Sequence, residues 1–320
     1  MRKKRLLYIA PDYYGFNEVV LEGLKKYSDC DITHIVSNKK YKNIWHRIYN
    51  FLLKIFLKKN IKKELIERSV KEIINKNPYY DYLLINAPYL IGESLLDFIL
   101  KKSKVSIAIF WDSMEKIPMQ KDYLSKIDII YSFEPKDCEK YNLRKITNFF
   151  FVEDENKAIH YDVAYLATYD DRINIAATIF RYFQQYGIVA KGKIFVYKSN
   201  IKVEEDLPNI EIINKIVPFS EAYKYYLDSK IILDIAHSNQ EGLSFRPYEA
   251  LGMRKKLITT NKNIVNYDFY DPNNIFLIED VNNIMIPEDF FKSDYKDIDS
   301  AIKNKYHIKN WIKKIINEAF

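Results

Sequence analysis

Short runs of β-branched and other apolar residues recur along the whole chain, and longer stretches with apolar residues at helical spacing separate them. Such a run can be buried on both faces only in a parallel sheet covered by helices. In the first half, strands are expected at Arg5–Ile9, Asp31–Val36, Tyr82–Asn86, Val105–Trp111 and Ile127–Ser132. Helices fall between them at Asn17–Lys26, Ile44–Leu57, Ile61–Asn75, Glu93–Lys102 and Lys136–Lys140. A second series starts with Asp162–Thr168 and the helix Asp171–Tyr186. It continues with strands at Lys193–Tyr197, Ile210–Ile213, Ile231–Ile235, Leu257–Thr260 and Ile275–Ile278. The alternation predicts an α/β protein of two Rossmann-like, doubly wound parallel sheets with right-handed crossovers. At 320 residues the chain has room for both. The acidic stretch Phe150–His160 is the expected hinge. The domains are expected at 1–155 and 156–302, with a terminal helical segment at 303–320.

Composition removes several function classes. There are 7 glycines and no glycine-rich phosphate loop. Cys30 and Cys138 form neither a disulfide framework nor a zinc spacing, which favours a reducing cytoplasm. The net charge of +7 comes without any nucleic-acid motif, so no nucleic-acid partner is expected. No apolar stretch approaches the ~18 residues of a membrane span. Ile44, Trp45, Ile48, Leu52 and Phe56 share one helical face, with Arg47, Lys54 and Lys58 on another and Lys59, Lys62 and Lys63 following. Ile44–Lys63 could therefore lie on an anionic membrane. The competing reading is a helix packed on its own sheet with a solvated basic back.

The stretch Ile231–Glu279 concentrates the candidate chemistry. Between two of its strands lies Glu241-Gly242-Leu243-Ser244-Phe245-Arg246-Pro247-Tyr248-Glu249, with its carboxylates eight positions apart. Ser244 is the expected N-cap of a helix from Phe245 to Leu251, Pro247 falls in the first turn, and Gly252 is the expected stop. Glu241 then lies in the loop and Glu249 about a turn inside the helix. Free helix N–H groups and Arg246 between them would form an anion site. Hydroxyl-binding carboxylates on either side of a phosphate-sized positive hole suit a nucleotide sugar.

Glu241 and Glu249 also match the E-x7-E pattern of retaining GT-B glycosyltransferases. The wording of Trp111–Ser113, Tyr161–Arg172, Asn239–Asn261 and Asn266–Ile275 resembles bacterial members that build lipopolysaccharide core and capsule. The resemblance implies two Rossmann-like domains facing a central crevice, with an acceptor-binding N-terminal half and a donor-binding C-terminal half. It implies a last helix that returns to the first domain. It also implies a glycolipid or polysaccharide acceptor, met in the cytoplasm or at the inner face of the cell membrane. Glu249 would accept from the ribose hydroxyls and Glu241 from the donor sugar. The expected reaction is retaining and metal-independent, with no cofactor beyond the nucleotide-sugar donor.

Arg246 and Arg172 are the diphosphate candidates, since each sits at a helix start where a cation opposes the dipole unless an anion joins it. Against this, Arg172 has Asp170 and Asp171 beside it as local partners. Lys198, His237, Gly242 and Ser244 complete the expected donor site. Asp112 and Asp12 end strands of the first half, where a general base would be placed or where each would cap the next helix. Two other functions stand beside the transferase: a nucleotide-sugar epimerase of the same fold, and a non-catalytic nucleotide-sugar-binding partner of a capsule assembly complex.

Overall fold

A computed structural model describes residues 2–37, 61–153, 155, 157–197, 207–238 and 240–318, with no account of side chains at 61–66. The expected helix Ile44–Leu57, and with it most of the basic amphipathic stretch, lies outside the described residues, as does Lys198.

The first sheet has strands β1 (Lys4–Ala10), β2 (Cys30–Val36), β3 (Tyr80–Asn86), β4 (Ser103–Phe110), β5 (Ile129–Ser132) and β6 (Arg144–Lys145). They lie in the order β2-β1-β3-β4-β5-β6, every pair parallel. The second sheet has β7 (Tyr161–Thr168), β8 (Ala190–Phe195), β9 (Ile210–Ile213), β10 (Ser229–Asp234), β11 (Lys256–Thr259) and β12 (Ile275–Leu277). Its order is β12-β11-β10-β7-β8-β9, again parallel throughout. The expected fold class is the one observed.

The chain forms two compact units. One comprises Met1–Ser132, Lys136–Ile146 and Ile312–Phe320; the other comprises Phe133–Pro135 and Thr147–Trp311. In the second, the period of two along each strand divides the core between the sheet faces. Val163, Tyr165, Ala167, Ile231 and Leu233 join the helix residues Ile179, Phe180 and Phe183 on one side. Ala164, Leu166, Ile232 and Leu257 join Tyr248, Leu251 and Phe269 on the other. Burial on both faces is what the continuous apolar runs demand.

Strand order fixes where a ligand can enter. An open parallel sheet leaves a crevice outside its carboxyl ends where the winding reverses. In the second sheet the reversal falls between β7 and β10, and in the first between β1 and β3. The residues after β7 and β10 are Tyr169–Arg172 and Ile235–His237; those after β1 and β3 are Pro11–Gly15 and Ala87–Tyr89.

Two local expectations are corrected. Strand β8 starts at Ala190, before the expected Lys193–Tyr197. Lys191-Gly192-Lys193 breaks the apolar run, yet the strand is paired on both sides and forms regardless. Gly252 is not the left-handed stop of its helix. It is the last helical residue, and the left-handed backbone belongs to Arg254, with φ 54°. Gly252 answers a packing constraint: a Cβ there would lie 2.6 Å from the ring of Phe150 and 2.7 Å from the Val152 carbonyl oxygen. Phe150 is fully buried and the second obstacle is backbone, so neither can yield cheaply. Gly252→Ala should therefore cost about 1–3 kcal/mol, read as a lower urea midpoint at unchanged slope.

Candidate functional site

Strand β10 ends in Asp234, which is buried beneath the loop that follows it. One carboxylate oxygen accepts from the Ser244 hydroxyl at 2.8 Å and the other from the Thr259 hydroxyl at 2.9 Å. The loop is thereby tied to β10 and to β11 together. Ser244 Oγ also accepts from the Arg246 N–H at 3.2 Å.

These bonds revise the expected start of the helix, which runs Arg246–Gly252 with Phe245 as its N-cap and no side-chain cap. Pro247 has no N–H, Ser244 takes that of Arg246, and those of Tyr248 and Glu249 donate to the Phe245 carbonyl at 3.0 and 2.9 Å. The free amides expected for an anion site are therefore committed. Arg246 is likewise turned to the protein: its guanidinium donates through Nε at 3.1 Å, and through Nη2, to the Leu166 carbonyl of β7. Burial acts against its charge, but Tyr226, Asp234 and Glu249 outweigh that and hold it above its ordinary value.

Glu249 is the exceptional group of the cluster. It is 6% exposed, in the first turn of the helix. Its carboxylate makes no hydrogen bond to any described residue. Burial pushes its acid up to about 7, opposed by Arg246 and reinforced by Asp234. A buried carboxylate without donors is costly to ionise, and hydrogen bonds from a ligand's hydroxyls would relieve that cost.

The Glu241 loop is clamped from several sides. Glu134 Oε2 accepts from the amides of Glu241 and Gly242 at 2.9 and 3.3 Å. The Asn263 side chain donates to the Glu241 carbonyl at 3.2 Å, and the Asn148 side chain donates to that of Leu243 at 2.8 Å. At Gly242 any Cβ would lie 2.4 Å from the Phe133 carbonyl oxygen, so only glycine fits. Glu134, Asn148 and Asp234 were not among the expected site residues. Each acts on a partner remote in sequence, and only Asp234 left a usable signal, its strand-terminal position.

At the winding reversal, Arg172 bridges the loops after β7 and β10. Its Nε and Nη2 donate to the two Asp170 oxygens at 2.9 and 2.6 Å, and Nη1 to the Ile235 carbonyl at 2.7 Å. Burial would raise the Asp170 carboxyl, but these bonds hold it below its ordinary value. His237 Nε2 lies 3.8 Å from Asp170. Asp170, Asp171 and His237 bring one ligand atom each within 4.8 Å of one another, a spacing that could hold a divalent cation. Arg172 already engages both Asp170 oxygens, and a cation would have to displace it.

In the first unit, Asp112 pairs with Lys116 at 2.6 Å, and its carbonyl accepts from Gln120 at 2.9 Å. The phenol of Tyr89 is pushed up to about 12 by burial, then by Tyr13 and Asp112. Tyr14, Gly15 and Ala87 all have left-handed backbone at this edge, with φ of 53°, 76° and 52°.

No protein-family model matches the sequence, nor does any curated protein. Solved structures do match the fold. It is GT-B. "OtsA apo structure" aligns at TM-score 0.59 and 9% identity over 99% of each chain. A glycosyltransferase from Rickettsia africae ESF-5 aligns at 0.53 and 12%, covering 100% of this chain and 98% of that one. A UDP-N-acetylglucosamine 2-epimerase aligns at 0.52 and 14%, covering 99% and 95%. At these identities the likeness is one of fold.

Glu249 sets a pH dependence whose sign follows from its raised acid. The cost of its charge is absent below its ordinary value of 4.5 and complete above about 7. Wild type should lose stability between pH 5 and 8 relative to Glu249→Gln, by on the order of 1–3 kcal/mol. Urea midpoints at both pH values check this.

Proposed function

We propose that the chain is a glycosyltransferase. It would move a sugar from a nucleotide-sugar donor to a hydroxyl of a lipopolysaccharide, capsular or related surface glycan at the cytoplasmic face of the membrane. The observation that carries the reading is Glu249, a buried residue near the carboxyl edge of the second sheet whose carboxylate has no hydrogen-bond donor among the described residues. The paired hydroxyls of a ribose supply the donors it lacks.

In this reading the second unit holds the donor and the first unit the acceptor. Glu241, in its clamped loop, takes hydroxyls of the donor sugar. Arg246 and Arg172 face the diphosphate after exchanging a carbonyl or carboxylate partner for it, and Lys198 and His237 belong to the same set. The sugar's anomeric carbon breaks its bond to the diphosphate oxygen and forms one to the acceptor oxygen. The acceptor proton passes to the departing diphosphate, with retention of configuration and no metal. Arginine charge on the leaving group is sufficient electrostatic stabilisation for that step. Asp112, already paired to Lys116, orients the acceptor side.

The epimerase reading has one observation in its favour, the shared fold of the UDP-N-acetylglucosamine 2-epimerase. It differs in needing no acceptor. Incubation of the chain with each donor alone, followed by NMR of the sugar, separates the two: an altered donor sugar without acceptor would replace the transferase reading.

Thermal unfolding with a panel of nucleotide sugars tests the donor site. One donor at ~100 times its dissociation constant should add about 2.7 kcal/mol to wild type and much less to Glu249→Ala. Equal stabilisation of both proteins would remove Glu249 from the site. The raised acid gives a second expectation. A ligand that hydrogen-bonds the carboxylate must displace its proton below about pH 7, so affinity should weaken by up to about tenfold per pH unit there. Calorimetry in buffers of different ionisation enthalpy should show proton release at pH 6, and none in Glu249→Gln.

A further inference from the structure

The amino ends of β7, β8, β9 and β10 border a cavity of about 570 Å³. The site above lies at the carboxyl ends of the same sheet, roughly 20 Å away at the rise of a strand. Lys191 lies between two tyrosines, its ammonium 4.5 Å from the ring centre of Tyr161 and 4.4 Å from that of Tyr225. It also bonds Asp228 at 2.5 Å, and Lys193 pairs with Glu211 at 3.0 Å.

The charges therefore cancel locally, two ammonium groups against two carboxylates, and an ionic ligand would meet no net attraction. The polar groups left over are of another kind. Neither phenol hydroxyl, nor the side-chain amide of Asn209, bonds any described residue. Tyr161, Asn209, Glu211, Tyr225 and Asp228 all line this cavity, and burial first, then Tyr226, Glu211, Asp228 and Tyr161, push the Tyr225 phenol up. Asn209 holds left-handed backbone, with φ 59°, at the entry to β9. Its carbonyl is engaged by the Gly192 amide at 2.8 Å.

Aromatic rings, uncommitted hydroxyl and amide groups, paired charge and a volume in the range of small-ligand sites form a surface suited to a neutral, hydroxyl-rich molecule with apolar faces. We propose that this groove is a second saccharide-binding site, separate from the nucleotide-sugar site, built from Tyr161, Tyr225, Asn209, Asp228 and Glu211. Its ligand class is a neutral mono- or disaccharide unit of a longer glycan. On the transferase reading, a glycan held there raises the local concentration of acceptor ends. The binding itself does not rest on that reading.

Saturation-transfer NMR on the full chain with lactose, maltose, cellobiose and N-acetyllactosamine tests it, with inorganic phosphate as the ionic control. At least one disaccharide should bind wild type and Glu249→Ala alike. Two variants remove the groups without disturbing the sheet. Tyr161→Phe with Tyr225→Phe keeps both rings, and Asn209→Gly keeps the left-handed backbone. Each should weaken binding by about tenfold. The proposal is overturned if no disaccharide binds, if both variants bind as wild type does, or if phosphate alone binds at the groove. Saccharide binding with no stabilisation by any nucleotide sugar would sink the transferase reading and leave the groove standing. The converse would sink the groove alone.

Discussion

A single partly buried cation set among acids organises the carboxyl edge of the second sheet. The Arg246 guanidinium is held on the Leu166 carbonyl, with Asp234 and Glu249 both close enough to favour its charge. One positive group cannot fully satisfy two buried carboxylates. Asp234 resolves this with two hydroxyl donors from Ser244 and Thr259. Glu249 has no such donors among the described residues, and the excess negative charge is expressed as its raised acid. The polarity of the cluster is thus directed at one carboxylate.

Around this centre the backbone is fixed before any ligand arrives. The Glu241 loop is fastened through its amides to Glu134 and through its carbonyls to Asn263 and Asn148, while Gly242 fits closely against Phe133. Across the winding reversal, Arg172 ties the loops after β7 and β10. Hydrogen bonds that lock supporting groups limit the reorganisation that binding would otherwise require. The two arginines are the exception, since each would have to trade a protein partner for a phosphate.

The sheets were legible because their signal is local and repeated. Period two with both faces apolar identifies a buried parallel strand from its own residues, as in Ile231–Leu233, and in β8 Lys191-Gly192-Lys193 obscured it. The two-residue strand β6 has no room for a pattern. The site was legible in part. Glu249 was readable as a carboxylate just inside a helix. That the helix would lack free amides was not, because Ser244 divides its oxygen between Arg246 and Asp234, a partner ten positions back. Gly252 was misread for the same kind of reason: its constraint is the ring of Phe150, which no neighbour in sequence reveals. Local chemistry could be inferred, but the choice of remote partner could not.

The tripeptide Phe133–Pro135 belongs to the second unit although residues of the first unit flank it on both sides in the chain. Its middle residue supplies the carboxylate that seats the Glu241 loop, and its first residue is the wall that admits only glycine at 242. The two units are therefore not interchangeable cassettes. Grafting residues 147–311 onto a foreign partner would carry over the sheet, the arginines and both glutamates but leave the loop without its seat. Recombination between relatives would meet the same barrier, which couples the inheritance of the two halves through three residues.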